Sequence, residues 1–235
     1  MGKILLLLLL LTAWPVTSAA EEPLDPIVIL DAGHGGEDGG SSSADGTLES
    51  EVNLIITHRL EATLAFLGKS TKMTRTGEGG VASPEAKTLR EKKRSDLQNR
   101  VAFINAVPRA HLISIHQNSL PPHPEVHGAQ IFYNAVPGAK ELAEAVQAML
   151  NQTINPGNEK ACKPIGQVYL MQKTVHPAIL VECGFLSNSR EASRLRDPTY
   201  QKQLAAVIAA GYLKYHKTRE SYENKDDLLL YRVRQ

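Results

Sequence analysis

Cysteine is nearly absent: Cys162 and Cys183 are the only two, and no Cys-x-x-Cys pair exists, which excludes a cysteine-rich zinc site. The simplest reading of both is two small, partly buried thiols. Neither sign of charge dominates. Lys and Arg total 26 against 25 Asp and Glu, a formal net charge of +1, so no long-range field gathers nucleic acid or an anionic membrane. A basic stripe interleaved with aromatics is missing too, which argues against nucleic-acid binding. "DAGHGGEDGG" (residues 31–40) is rich in glycine but lacks both the GxGxxG spacing and the P-loop lysine, so dinucleotide and phosphate binding fail as explanations. There is no internal repeat, and no linker divides residues 27–216.

The one long apolar stretch lies at the start. In "MGKILLLLLLLTAWPVTSAA" a lysine precedes an apolar run from Ile4 to Trp14, too short for the roughly 20 apolar residues that span a bilayer. Its length suits a secretory segment, with Ser18-Ala19-Ala20 as small residues at a cleavage point. Residues 1–20 are therefore expected to be a signal peptide, with an uncleaved membrane anchor as the rival. In both readings the bulk of the chain leaves the cytoplasm. Residues 21–26 form a linker, 27–216 a catalytic domain and 217–235 a charged tail that either frays or docks as a strand.

Within the domain, "PIVILD", "TKMTR", "AHLISIH", "GAQIFY", "QVYLM" and "PAILVECGF" are expected strands. Between them, Val52, Ile55, Ile56, Leu60, Leu64 and Leu67 recur at helical spacing and Gly68 closes the run. Thr88 and Glu91 form a capping-box pattern before a helix whose buried positions are Leu97, Val101 and Ile104. Pro137 suits the first turn of a helix through Leu142, Ala143, Val146, Met149 and Leu150. Asp197-Pro198 opens a last helix through Leu204, Ile208 and Tyr212. Strands alternating with helices imply an α/β fold: a single domain with a mainly parallel, twisted sheet of about six strands and helices on both faces.

In such a sheet, functional groups gather beyond the carboxyl ends of the strands. His34 follows the strand that ends at Asp31, His116 closes "AHLISIH", and Glu182 lies near the end of "PAILVECGF". Glu49 heads the helix after the His34 loop. Two imidazoles and a carboxylate make a catalytic zinc set, and a spare carboxylate nearby would serve as general base. His34, Glu49 and His116 are accordingly assigned to Zn2+, one ion per chain, and Glu182 to proton transfer. Each has a plainer reading. His34 could simply be solvated, His116 a satisfied core residue, and Glu49 a first-turn acid favoured by the helix dipole. Glu182 resists such a reading best, because a carboxylate within so apolar a strand is costly unless something engages it. The cluster Arg90, Lys92, Lys93 and Arg94 could touch substrate carboxylates, but a solvated helix face is the preferred reading.

"ILDAGHGGEDGG", "TLESEVNL", "LISIHQNS" and "ILVECGFLSN" together resemble the four signature segments of the zinc-dependent N-acetylmuramoyl-L-alanine amidases (amidase type 3), in order from about residue 27 to 215. The resemblance implies zinc ligands at His34, Glu49 and His116 and a catalytic glutamate at Glu182. It also implies peptidoglycan as substrate, cleaved between the lactyl group of muramic acid and L-alanine. The glycine-rich loop, "TLREKKRSDLQNRVAFIN" and "VYLMQ" are similar to the spore-cortex branch, the germination-specific amidases of the CwlD type. This narrower likeness implies a role in muramic δ-lactam formation and germination, in the intermembrane or cortex space of the developing spore. Gln117, Ser119 and Cys183 depart from residues common in the wider family, which bears on fine substrate preference. The segment Gln117 to Val126, stiffened by Pro121, Pro122 and Pro124, is too short for the occluding helical insertion of cell-division relatives. An open site follows, governed by timing, location or an accessory protein. The rival functions are a general wall-remodelling amidase, another zinc hydrolase and a non-catalytic wall-binding homologue.

Overall fold

A computed structural model describes residues 25–233, so the expected export segment, residues 1–20, lies outside the described residues. The elements in chain order are β1 (Ile27–Ala32), α1 (Glu49–Phe66), β2 (Thr71–Met73), α2 (Leu89–Asn105), β3 (Ala110–Asn118), β4 (Gln130–Tyr133), α3 (Ala139–Thr153), β5 (Lys163–Pro164), α4 (Tyr169–Lys173), β6 (Ala178–Phe185), α5 (Ser189–Arg196) and α6 (Pro198–Val233). The six strands lie in the order β2-β1-β3-β6-β4-β5. β1 runs parallel to β2 and β3, β3 parallel to β6, and β4 antiparallel to β6. This is the single α/β domain with a mostly parallel sheet that the alternating pattern implies.

Both faces of the sheet are covered, which is why β1, β3 and β6 are nearly continuous in apolar residues instead of alternating with polar ones. Val28, Leu30, Ile113, Ile179 and Val181 point into a cluster with α1, α3 and α6. Ile29, Leu112 and Leu180 point the other way, against Ile104 of α2 and Leu170 and Met171 of α4. The order β2-β1-β3 has a consequence for function. The chain leaves β1 toward one edge, returns past it to β3, and so lays α1 and α2 on opposite faces. A crevice opens at the carboxyl ends of β1 and β3, where such sheets bind ligands.

Several expectations are corrected. "QVYLM" is not a strand: Tyr169–Lys173 is the short helix α4, and the nearby strand β5 is only Lys163–Pro164. Leu170 and Met171 are both buried in the same cluster, an arrangement that a helical turn permits and that a strand's alternation forbids. The expected last helix begins at Pro198 but runs on to Val233, so the backbone of residues 217–233 is neither a frayed tail nor a strand. Beyond Gly211 this segment contains neither glycine nor proline and is rich in Lys, Glu, Arg and Leu, all good helix formers. Pro137 precedes α3 instead of opening it, since Gly138 takes a left-handed φ of 91° before the first turn. α5, capped by the Asn188 side chain, was not expected at all. The Thr88–Glu91 capping box of α2 is present in both its hydrogen bonds. Cys162 and Cys183 are free thiols.

Candidate metal centre

The crevice at the end of β1 and β3 holds three of the four candidate residues. His34 sits two residues past β1, at a φ of 61°, a conformation rare for a residue with a side chain. It throws the imidazole back across the strand end. There His34 Nε2 lies 3.3 Å from Glu49 Oε1, and His116 Nδ1 lies 3.0 Å from the same oxygen. The two rings stand edge to face, with centroids 5.1 Å apart. Glycine makes the approach feasible at two points. A Cβ on Gly33 would come within 2.2 Å of the His116 ring, and one on Gly40 within 2.6 Å of Glu49 Oε2.

Donor chemistry and spacing both fit a zinc ion. One ligand atom from each of His34, Glu49 and His116 lies within 4.8 Å of the other two. In a tetrahedral zinc site with bonds of about 2.0–2.2 Å, neighbouring ligand atoms stand roughly 3.3 Å apart, close to the two separations measured here. Glu49 is buried at the first turn of α1, and its carboxylate is held by backbone as well as by imidazoles. Oε1 accepts the Gln117 N–H at 3.1 Å and Oε2 the Ser41 N–H at 2.8 Å. Burial alone would raise the Glu49 pKa, but the hydrogen bonds and charges of His116 and His34 outweigh it and hold the group far below the usual carboxylate range. For His34, burial opposes protonation, and hydrogen bonds and charge from Glu49 and Asp38 overcome it, raising the pKa. Both imidazole side chains stay about one-fifth exposed, at 20% and 19%, so a substrate can reach them.

Asp38 escaped the sequence reading. Its Oδ2 lies 3.0 Å from His34 Nδ1, the carboxylate–histidine pairing that fixes a ligand's tautomer and leaves Nε2 free to bind metal. A signal existed: Asp38 follows His34 by four residues in a loop where little else can pack. Lys93 sits 3.2 Å from the same Asp38 oxygen and Lys92 pairs with Glu37. These two members of the basic cluster thus brace the His34 loop, while Arg90 and Arg94 are exposed as a solvated face would be.

Glu182 lies one strand away. It is the register partner of His116 in the parallel β3–β6 pair, hence on the same sheet face, and Cys183 points oppositely into the core. Its Oε2 is buried without a hydrogen-bond partner among the described residues. Burial pushes its pKa up to about 7, with nearby His116 lowering it and Glu49 raising it. A folded pKa above the ordinary 4.5 means that the folded chain holds this proton more tightly than the unfolded chain. The stability so contributed is complete below pH 4.5 and is lost as pH rises through about 7. Glu182→Gln, neutral at every pH, should therefore raise the melting temperature of the metal-free protein at about pH 8 and leave it unchanged near pH 4. Equal melting of metal-free variant and wild type at both pH values would mean that Glu182 is not an uncompensated buried acid.

The chain matches the family model described as N-acetylmuramoyl-L-alanine amidase over residues 28–214. It is 37% identical over 190 residues to the germination-specific N-acetylmuramoyl-L-alanine amidase of Bacillus subtilis (strain 168), covering 80% of this chain and 79% of that one. Among solved structures it resembles the CwlD amidase from Clostridioides difficile, determined in complex with the GerS lipoprotein. The TM-score is 0.79 at 35% identity, over 83% of this chain and 100% of that one. It also resembles the amidase AmiC2 of Nostoc punctiforme, with a TM-score of 0.70 at 31% identity, over 82% and 97% of the two chains.

Proposed function

This chain belongs to the N-acetylmuramoyl-L-alanine amidase family, enzymes that act on peptidoglycan, and from that premise we propose that it works with one zinc ion on spore cortex. The bond cleaved is the amide between the lactyl carbonyl of muramic acid and L-alanine. The observation that carries the metal reading is the convergence of two imidazole nitrogens on a single Glu49 oxygen, one strand away from Glu182, whose buried Oε2 has no hydrogen-bond partner among the described residues. The cortex assignment draws on the likeness to the germination-specific amidase of Bacillus subtilis.

His34, Glu49 and His116 would hold the ion. When bound, zinc supplies Lewis acidity, which makes water a better nucleophile at neutral pH and polarises the carbonyl. The remaining work falls to side chains. Asp38 keeps the proton of His34 on Nδ1. Ser41 and Gln117 donate backbone N–H groups that keep Glu49 ionised and fixed. Glu182, with a pKa near neutrality, takes a proton from the attacking water and returns it to the departing L-alanine nitrogen. One residue can do both because its basicity lies between the two tasks.

The site is open, and the segment between β3 and β4 contains no helix that would cover it. The CwlD structure holds a lipoprotein partner, which supports an accessory protein as the means of control or targeting here. Export by residues 1–20 would bring the chain to its substrate. Digestion of purified spore cortex and vegetative wall by the mature protein, with and without chelator, tests the proposal. Mass spectrometry should find free L-alanine amino termini and peptide-free muramic acid from cortex, and none after chelation. Equal digestion of vegetative wall would favour a general remodelling amidase, and products cut elsewhere in the stem peptide would refute the assignment.

A further inference from the structure

Two arginines lie almost wholly inside the domain: Arg100 is 2% exposed and Arg75 is 4% exposed. Buried cations are hard to keep, and apolar residues of similar size often serve stability as well or better. Most of their hydrogen bonds run to the backbone that carries the candidate zinc ligands or to the acids that neutralise them. Arg100 Nη2 donates to the His34 carbonyl at 2.7 Å, and its Nη1 donates to the Ala32 carbonyl at 2.8 Å. Arg75 Nε donates to the same Ala32 carbonyl at 2.8 Å, and its Nη2 to the Gly33 carbonyl at 3.1 Å. Arg75 Nη2 also reaches the Ser50 carbonyl at 2.8 Å, in the first turn of α1 beside Glu49. Its Nη1 donates to the Gly77 carbonyl, anchoring the glycine-rich loop.

The charge is balanced within the same layer. Asp31 Oδ1 and Asp96 Oδ2 each lie 2.6 Å from Arg100. Asp31 is itself gripped by the hydroxyls of Thr74 and Ser114, both at 2.6 Å, and Ser114 stands two residues before His116 on β3. This network therefore reaches the neighbourhood of all three donors. It bonds the backbone of the His34 loop and of the helix of Glu49, and, through Asp31, the Ser114 hydroxyl on the strand of His116. It also explains how His34 keeps a left-handed backbone that is unfavourable for any residue with a Cβ. The carbonyls on either side of the bend are each tied to a guanidinium.

We propose that Arg75 and Arg100 are positioning residues that preorganise the zinc donors before metal arrives, an inference that rests on reading His34, Glu49 and His116 as the metal site. The test is equilibrium zinc affinity, measured by competition with a chromophoric chelator, alongside thermal melting of the metal-free protein. Arg75→Lys and Arg100→Lys keep the charge and remove the fork, and each should weaken zinc binding about 10–100-fold, as loss of outer-shell partners does elsewhere. Leu150→Ala, on α3 across the sheet from Arg100 and outside the arginine network, should lower the melting temperature and leave zinc affinity at the wild-type value. If neither lysine variant folds, Thr74→Val removes only a hydroxyl supporting Asp31 and Arg100, and should weaken zinc binding by about threefold. Unchanged affinity in the arginine and Thr74 variants, or an equal loss in Leu150→Ala, overturns the proposal while leaving the metal site intact. A wild-type protein that binds no zinc overturns the metal reading itself.

Discussion

Glu182→Gln should lower kcat by about 10²–10⁴-fold while the protein still binds one zinc ion per chain. The substitution preserves shape and removes only the ability to take up and return a proton. Glu182 stands outside the His34–Glu49–His116 group, one strand further along the sheet. Its enclosed Oε2 has no protein partner among the described residues to be disturbed by an amide. Turnover on defined muropeptides and zinc content by elemental analysis separate the outcomes. Full activity would place the base elsewhere. Loss of zinc together with activity would make Glu182 a ligand.

His116→Ala should have the opposite signature, with metal and activity lost together. The Glu49 oxygen that lies near both His116 Nδ1 and His34 Nε2 would keep one imidazole, and the remaining two donors fall short of the three protein ligands of a catalytic zinc site. Zinc affinity should fall by more than the roughly 10–100-fold typical of outer-shell changes. His123→Ala is the control, because His123 is an exposed loop residue beside Glu125 and far from any donor role. Competition with a chelator reads both variants, and wild-type affinity in His116→Ala would remove His116 from the ligand set.

Where the sequence pattern and the structure agree, one physical signal dominated. β1, β3 and β6 are largely apolar on both faces, as strands inside a sheet covered by helices on both sides are. The ends of those strands then point to the site, because crossover topology forces ligands to the carboxyl rim. α1 was legible from Val52, Ile56, Leu60 and Leu64, all buried, although Ile55 and Leu67 on the same count are exposed at 43% and 42%. α4 was misread because five residues with two adjacent apolar ones carry no period to choose helix over strand. The extension of α6 was hidden by its charge, which periodicity treats as surface or tail.

The support beneath the ligands was the least legible part. Arg100 stands four residues before Ile104, on the very stripe of α2 that faces the sheet, but in "TLREKKRSDLQNR" it looks like one more solvated cation. Arg75 follows a three-residue strand with no pattern around it at all. Spacing assigns such residues to a face. Only the location of unpaired carbonyls and acids, which depends on the folded chain, shows why a charge belongs there.

The central claim is that one zinc ion is shared by side chains from β1's loop, α1 and β3. Anomalous diffraction at the zinc edge from crystals of the protein tests it directly. A single peak at about 2.0–2.2 Å from His34 Nε2, Glu49 Oε1 and His116 Nδ1 is the expected result. A peak bound by other residues, or none at saturating zinc, would contradict it.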